Sequence, residues 1–232
     1  MKYLDPRDLG IRALSFFRID IVKYLVHIDM IDFKWKCSKQ GDETPLFYFA
    51  NQFPSIDRPE YGCKAQDFTE TMRYLLEQGI KASKKVTENF NPLRCFLNCN
   101  IRKYKDINED KKQSIVTVCR MLLDAMKRET GLSLPVPKLN VLHGLTAIVF
   151  QHQYNSQDQC AIDLMMTQLF QMFLWSGVNP HSVLPSRRSL MWEVNHDLVL
   201  YRKHKFKATA EFCRLLFICG EKPNVLHCFL SI

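Results

Sequence analysis

The sequence predicts an all-α chain: about five irregular helix-turn-helix units in series, with long inserts between the paired helices and a partial sixth unit. Two observations predict it. An apolar octet recurs five times along the 232 residues, and a short helix-opening motif recurs ahead of it. With 47% apolar and 24% charged residues, the chain has the composition of a folded domain, which excludes disordered and collagen-like structure.

The octets are Val22-Lys-Tyr-Leu-Val-His-Ile-Asp29, Met72-Arg-Tyr-Leu-Leu-Glu-Gln-Gly79, Cys119-Arg-Met-Leu-Leu-Asp-Ala-Met126, Phe170-Gln-Met-Phe-Leu-Trp-Ser-Gly177 and Cys213-Arg-Leu-Leu-Phe-Ile-Cys-Gly220. Their starts are 50, 47, 51 and 43 residues apart. Each reads as the end of an apolar helix. Glycine closes three of them, and glycine accepts the left-handed conformation that ends a helix without a Cβ penalty.

The opening motif appears as Thr44-Pro-Leu-Phe47, Asn91-Pro-Leu-Arg94 and Asn140-Val-Leu-His143, and again as Asn224-Val-Leu-His227. A Thr or Asn oxygen caps an orphan amide, and proline at the next position has no amide to lose. Each unit is therefore a helix, a connection, a second helix and a turn. The units fall at about 5–37, 38–86, 87–136, 137–185 and 186–222 of a single domain spanning 1–232, with 223–232 opening a sixth. The surplus length lies between the paired helices, in about 51–67, 98–113, 151–160 and 195–207. Because the sixth unit stops at Ile232 inside its first helix and Val225-Leu-His-Cys-Phe-Leu230 is not a polar cap, the natural polypeptide is expected to continue.

These motifs resemble a divergent ankyrin-repeat array. Gly41-Asp-Glu-Thr-Pro-Leu46 is similar to the family's opening, the Leu-Leu-x-x-Gly ending recurs in the right order, and Leu142-His143 and Leu226-His227 keep its Leu-His pair. The resemblance implies a solenoid whose first helices and inter-repeat turns form a concave protein-binding groove. In that register Tyr48, Cys95, Gly144 and Trp192 hold the first-helix position that faces partners. The turns add Phe33, Lys34 and Trp35, then Asn89 and Phe90, then His181, Arg187 and Arg188. Exposed Tyr and Trp make effective interface anchors. The partner-binding set is thus Phe33, Trp35, Tyr48, Phe90, His181, Arg187, Arg188 and Trp192.

Among such proteins Gly41-Asp-Glu-Thr-Pro-Leu-Phe-Tyr-Phe-Ala50, Met72-Arg-Tyr-Leu-Leu-Glu-Gln-Gly-Ile80 and the long irregular units are together most similar to divergent members of the ankyrin-repeat and SOCS-box family. That resemblance implies a target-recognition adaptor for cullin-type ubiquitin ligases, with elongin and cullin recruited through a C-terminal box that this chain lacks. The competing resemblance is to free-standing ankyrin inhibitors that mask a partner protein, viral mimics of a transcription-factor inhibitor among them.

Chemistry is sparse by comparison. No nucleophile motif, metalloprotease motif, phosphate loop or dinucleotide fingerprint occurs, so no enzyme, catalytic residue or cofactor is expected. Nine unpaired-looking cysteines read as reduced core thiols, Cys213 and Cys219 included. Cys95 and Cys99 stand four apart but lack the second close pair that zinc requires, so no metal is expected. The net charge of +8 permits an acidic partner without naming one. The basic stretch Tyr201-Arg-Lys-His-Lys-Phe-Lys207, carrying Arg202, Lys203, Lys205 and Lys207, mixes rings and cations as nucleic-acid surfaces do, and so does Ile101-Arg-Lys-Tyr-Lys105. Both read chiefly as solvated loops, and nucleic acid stays the less favoured partner. No apolar run reaches the roughly 20 residues of a membrane span, and no apolar signal core opens the chain, so a cytoplasmic protein is expected, with the nucleus as the alternative.

Overall fold

The computed structural model describes residues 6–30, 44–53, 64–83, 91–101, 108–130, 142, 145, 156–180, 190 and 207–220. All regular structure among them is helical, as expected for an all-α chain. The polypeptide divides into two compact units, one of Met1–Tyr104 with Asn108–Gly131, the other of Lys105–Ile107 with Leu132–Ile232.

The first unit holds six of the helices: α1 (Pro6–Ser15), α2 (Ile19–His27), α3 (Pro45–Ala50), α4 (Ala65–Glu77), α5 (Pro92–Ile101) and α6 (Glu109–Thr130). Their starts follow the capping chemistry that the sequence carries. Thr44 Oγ1 accepts from the Phe47 amide at 3.2 Å with Pro45 at the first helical position, and Asn91 Oδ1 accepts from the Arg94 amide at 2.8 Å. Asn108 Oδ1 accepts from the Lys111 amide at 3.0 Å, and Glu109 and Asp110 follow it, where acidic side chains suit the helix dipole.

The helices pack in a serial order. Within pairs, α1 lies against α2, α3 against α4 and α5 against α6. Between pairs, α1 meets α3 and α3 meets α5, while α2 meets α4 and α4 meets α6. The faces that meet are the apolar ones. On α4, Phe68, Met72 and Leu75 recur at helical spacing and are buried, as are Ile115, Val118, Cys119, Leu122, Leu123 and Met126 on α6. Five phenylalanines join the pairs. The Phe68 ring stacks on Phe49 at 4.3 Å between centroids and meets Phe17 at 5.7 Å, Phe53 at 4.8 Å and Phe96 at 5.8 Å.

Four octets end as their residues dictate. Asp29, Gly79, Gly177 and Gly220 all have positive φ, at 53°, 79°, 88° and 86°. After α2 the Asp29 amide donates to Val26 O and the Met30 amide to Leu25 O, both at 3.0 Å, a double closure of the last turn. Gly177 and Val178 repeat that pair of bonds to Leu174 O and Phe173 O. The third octet differs. Where the others turn, Met126 continues the helix to Thr130, because no glycine interrupts it and Lys127 and Arg128 suit a helix C-terminus. The insert expected over 98–113 is correspondingly shorter, since α5 runs on to Ile101 and α6 begins at Glu109.

In the second unit, α7 (Ser156–Trp175) packs against α8 (Lys207–Ile218). Phe170 of α7 stacks on Phe212 of α8 with ring centroids 4.0 Å apart. Met165, Met166, Leu169 and Phe173 complete the buried face of α7, with Leu215 and Leu216 on α8. No helix among the described residues is long and apolar enough to cross a membrane.

Candidate functional site

Of the residues expected to bind a partner, Tyr48 is the one whose side chain the structure describes. Phe33, Trp35, Phe90, His181, Arg187, Arg188 and Trp192 lie outside the described residues, as do Arg202, Lys203 and Lys205 of the basic stretch. Lys207 is the first residue of α8, with only its backbone described.

Tyr48 sits on α3, which Thr44 and Pro45 start, and its ring is half-buried. Its hydroxyl lies 2.7 Å from Ser15 Oγ at the end of α1. Ser15 Oγ donates its single proton to Ile11 O at 2.8 Å, so the Tyr48 hydroxyl is the donor in the shared bond. One helix pair later, Cys95 Sγ on α5 donates to Asn51 Oδ1 at the end of α3, at 2.7 Å. The two bonds join α1 to α3 and α3 to α5 in the same sense. Cys95 is only 3% exposed, so this register position turns toward the preceding helix and not outward.

The cysteines separate by helix face. Cys119 is fully buried among the α6 core residues, and burial pushes its thiol well above the usual range. Cys219 corrects an expectation: it is exposed. The buried side of α8 is set by Phe212, Leu215 and Leu216, and Cys219 is four and three residues beyond the last two but past the helix end, where no neighbour covers it among the described residues. No group of three potential metal ligands occurs among the described residues.

The sequence reasoning missed a polar groove of about 790 Å³ between the N-terminal ends of α4 and α6. Lys64, Gln66 and Thr69 line it from α4, and Asp110, Lys111, Ser114 and Thr117 from α6. These residues fall inside or beside stretches read as inserts, which hid them. The available signal was Asn108-Glu-Asp110, a capping residue followed by two acids, which marks a helix start in the middle of the expected insert.

Exposed rings were also missed. Tyr24 on α2 and Trp175 at the end of α7 stand in solvent, both on helices that the octets had already identified. No protein-family model matches the chain, and no curated protein matches it.

Proposed function

We propose that the chain is a protein-binding array of stacked helix pairs, an ankyrin-type solenoid that works by surface recognition and not by catalysis. The observation that supports it best is the serial packing of the first unit, in which one row of helices is α1, α3, α5 and the other is α2, α4, α6. In such an array each pair buries its apolar side only against its neighbours, which leaves continuous outer faces for a partner. The left-handed residues at Asp29, Gly79, Gly177 and Gly220 support the same reading, because one turn geometry closes four of the five octets.

The finer reading is a target-recognition adaptor that resembles substrate receptors of cullin-type ubiquitin ligases. In the register of that resemblance Tyr48 and Trp192 are the aromatic residues expected to meet partners. The experiment uses the 232-residue chain and its Tyr48→Ala and Trp192→Ala variants, each checked for folding by circular dichroism, as bait for quantitative mass spectrometry. Proteins captured by the parent and lost from either folded variant bind at that residue; identical capture by all three removes both positions from the reading. A C-terminally extended chain is expected to recover elongin and cullin in addition. Recovery of neither overturns the ligase assignment while leaving the binding array intact.

A further inference from the structure

The geometry points to the groove between the N-terminal ends of α4 and α6 as a binding site for a phosphomonoester carried on a larger molecule. This inference does not rest on the array reading, since the groove needs only that α4 and α6 lie side by side.

Both helices turn their first turns to the groove, and at each the third amide is already taken. At α6 the Asn108 side chain occupies the Lys111 amide. At α4 the capping position is Lys64, which makes no side-chain cap, and the Ala65 and Gln66 amides have no hydrogen-bond partner among the described residues. Asp67 accepts from the Lys64 amide at 2.8 Å, which leaves those next two donors unused. Open amides at the start of a helix carry partial positive charge and are oriented for an anion.

A second, independent observation comes from α6. Ser114 is 8% exposed, lines the groove, and its hydroxyl has no partner among the described residues. A buried hydroxyl without a partner is costly, and a ligand oxygen would relieve that cost. By contrast Thr69, equally buried on the facing helix, already donates to Ala65 O at 3.1 Å.

The donor set fits phosphate better than carboxylate. Two amides, the Ser114 and Thr117 hydroxyls and the Lys64 ammonium group exceed what two carboxylate oxygens can use, whereas a phosphomonoester offers three terminal oxygens and close to two negative charges. Asp110 opposes an anion on its own side and would instead accept from a donor on the ligand body. The nearby acids are otherwise engaged: Glu70 accepts from Gln66 Nε2 and Glu109 pairs with Lys112 at 3.0 Å. A space of about 790 Å³ far exceeds one phosphate group, so the ligand brings its phosphate on a bulkier frame.

Thermal unfolding of the full chain at constant ionic strength tests this, with inorganic phosphate, O-phosphoserine and a glycine-flanked phosphoserine peptide as probes and chloride as the control. The expected result is a saturable rise in Tm with the phosphate probes and none with chloride. Lys64→Ala is expected to weaken binding about tenfold, the scale of one charged hydrogen bond, while Lys127→Ala at the far end of α6 leaves it unchanged. Ser114→Ala is expected to raise the ligand-free Tm slightly and to lower the phosphate response, a split that a merely structural serine would not give. Tighter binding of the peptide assigns a phosphorylated side chain as the source; tighter binding of the free phosphoserine assigns a small phosphorylated molecule. No saturable response to any probe, or the same response in all three variants, overturns the proposal.

Discussion

The Tyr48 hydroxyl donates to Ser15 Oγ across 2.7 Å, tying the first helix of one pair to the first helix of the pair before it. Ser15 passes its own proton to Ile11 O, so the bond is the middle of a short relay that ends on the α1 backbone. A residue expected to face a partner is here partly spent on holding two helices together. A partner that reaches Tyr48 meets the exposed part of its ring and not a free hydroxyl.

Tyr48→Phe removes that donor and keeps the ring. It is expected to cost about 1 kcal/mol, the net value of one partly buried hydrogen bond. Ser15→Ala should cost a similar amount, and the double variant should cost less than the sum. Urea unfolding of the four proteins reads the coupling; strict additivity would show that the bond does not contribute.

Gly79 and Asp29 occupy equivalent turns, with φ of 79° and 53°, and substitutions there should move stability in opposite directions. Nothing lies within 4 Å of a Cβ placed on Gly79, so Gly79→Ala meets only backbone strain. The expected loss is about 1 kcal/mol, and Asp29→Gly should return a fraction of that by relieving the same strain. Differential scanning calorimetry distinguishes the two signs.

Cys119 and Cys219 should differ sharply in reactivity. In native protein Cys219 is expected to react promptly with a disulfide reagent, and Cys119 only on unfolding. The buried thiol also predicts an alkaline limb. Its folded pKa is raised above its ordinary value of 9.0, so its contribution is fully present below pH 9 and is lost as pH rises, because the unfolded chain ionises there and the folded one does not. The slope from this group approaches about 1.4 kcal/mol per pH unit, and Cys119→Ala should flatten the loss of stability between pH 9.5 and 11. Urea midpoints across that range measure it.

Glu129, near the end of α6, accepts from the Ala82 amide at 2.7 Å and the Ser83 amide at 2.8 Å, one with each carboxylate oxygen. It therefore fastens the chain that leaves α4 to the following pair. Glu129→Ala is expected to cost about 2 kcal/mol and Glu129→Gln about half of that, since the amide keeps one acceptor. Amide hydrogen exchange at Ala82 and Ser83 should accelerate in both variants, and unchanged exchange would count against the role.

Helix placement was legible because it depends on local chemistry. Thr44 and Asn91 start α3 and α5 through their own side chains, and the glycines at 79, 177 and 220 end helices because nothing but the backbone decides their φ. The buried faces of α4 and α6 were likewise written in the spacing of Phe68, Met72 and Leu75 and of Ile115, Val118 and Leu122.

What lay beyond the sequence is what depends on which helix stands beside which. Spacing alone does not say that Tyr48 meets Ser15, that Cys95 turns inward onto Asn51, or that Glu129 reaches two amides nearly fifty residues earlier. Nor does it bring Lys64 and Ser114 to one groove, because side chains from different helices converge only after packing has set the distance between them. Local free energy chooses the helices, and the burial of their apolar faces against one another chooses the neighbours from which any site is made.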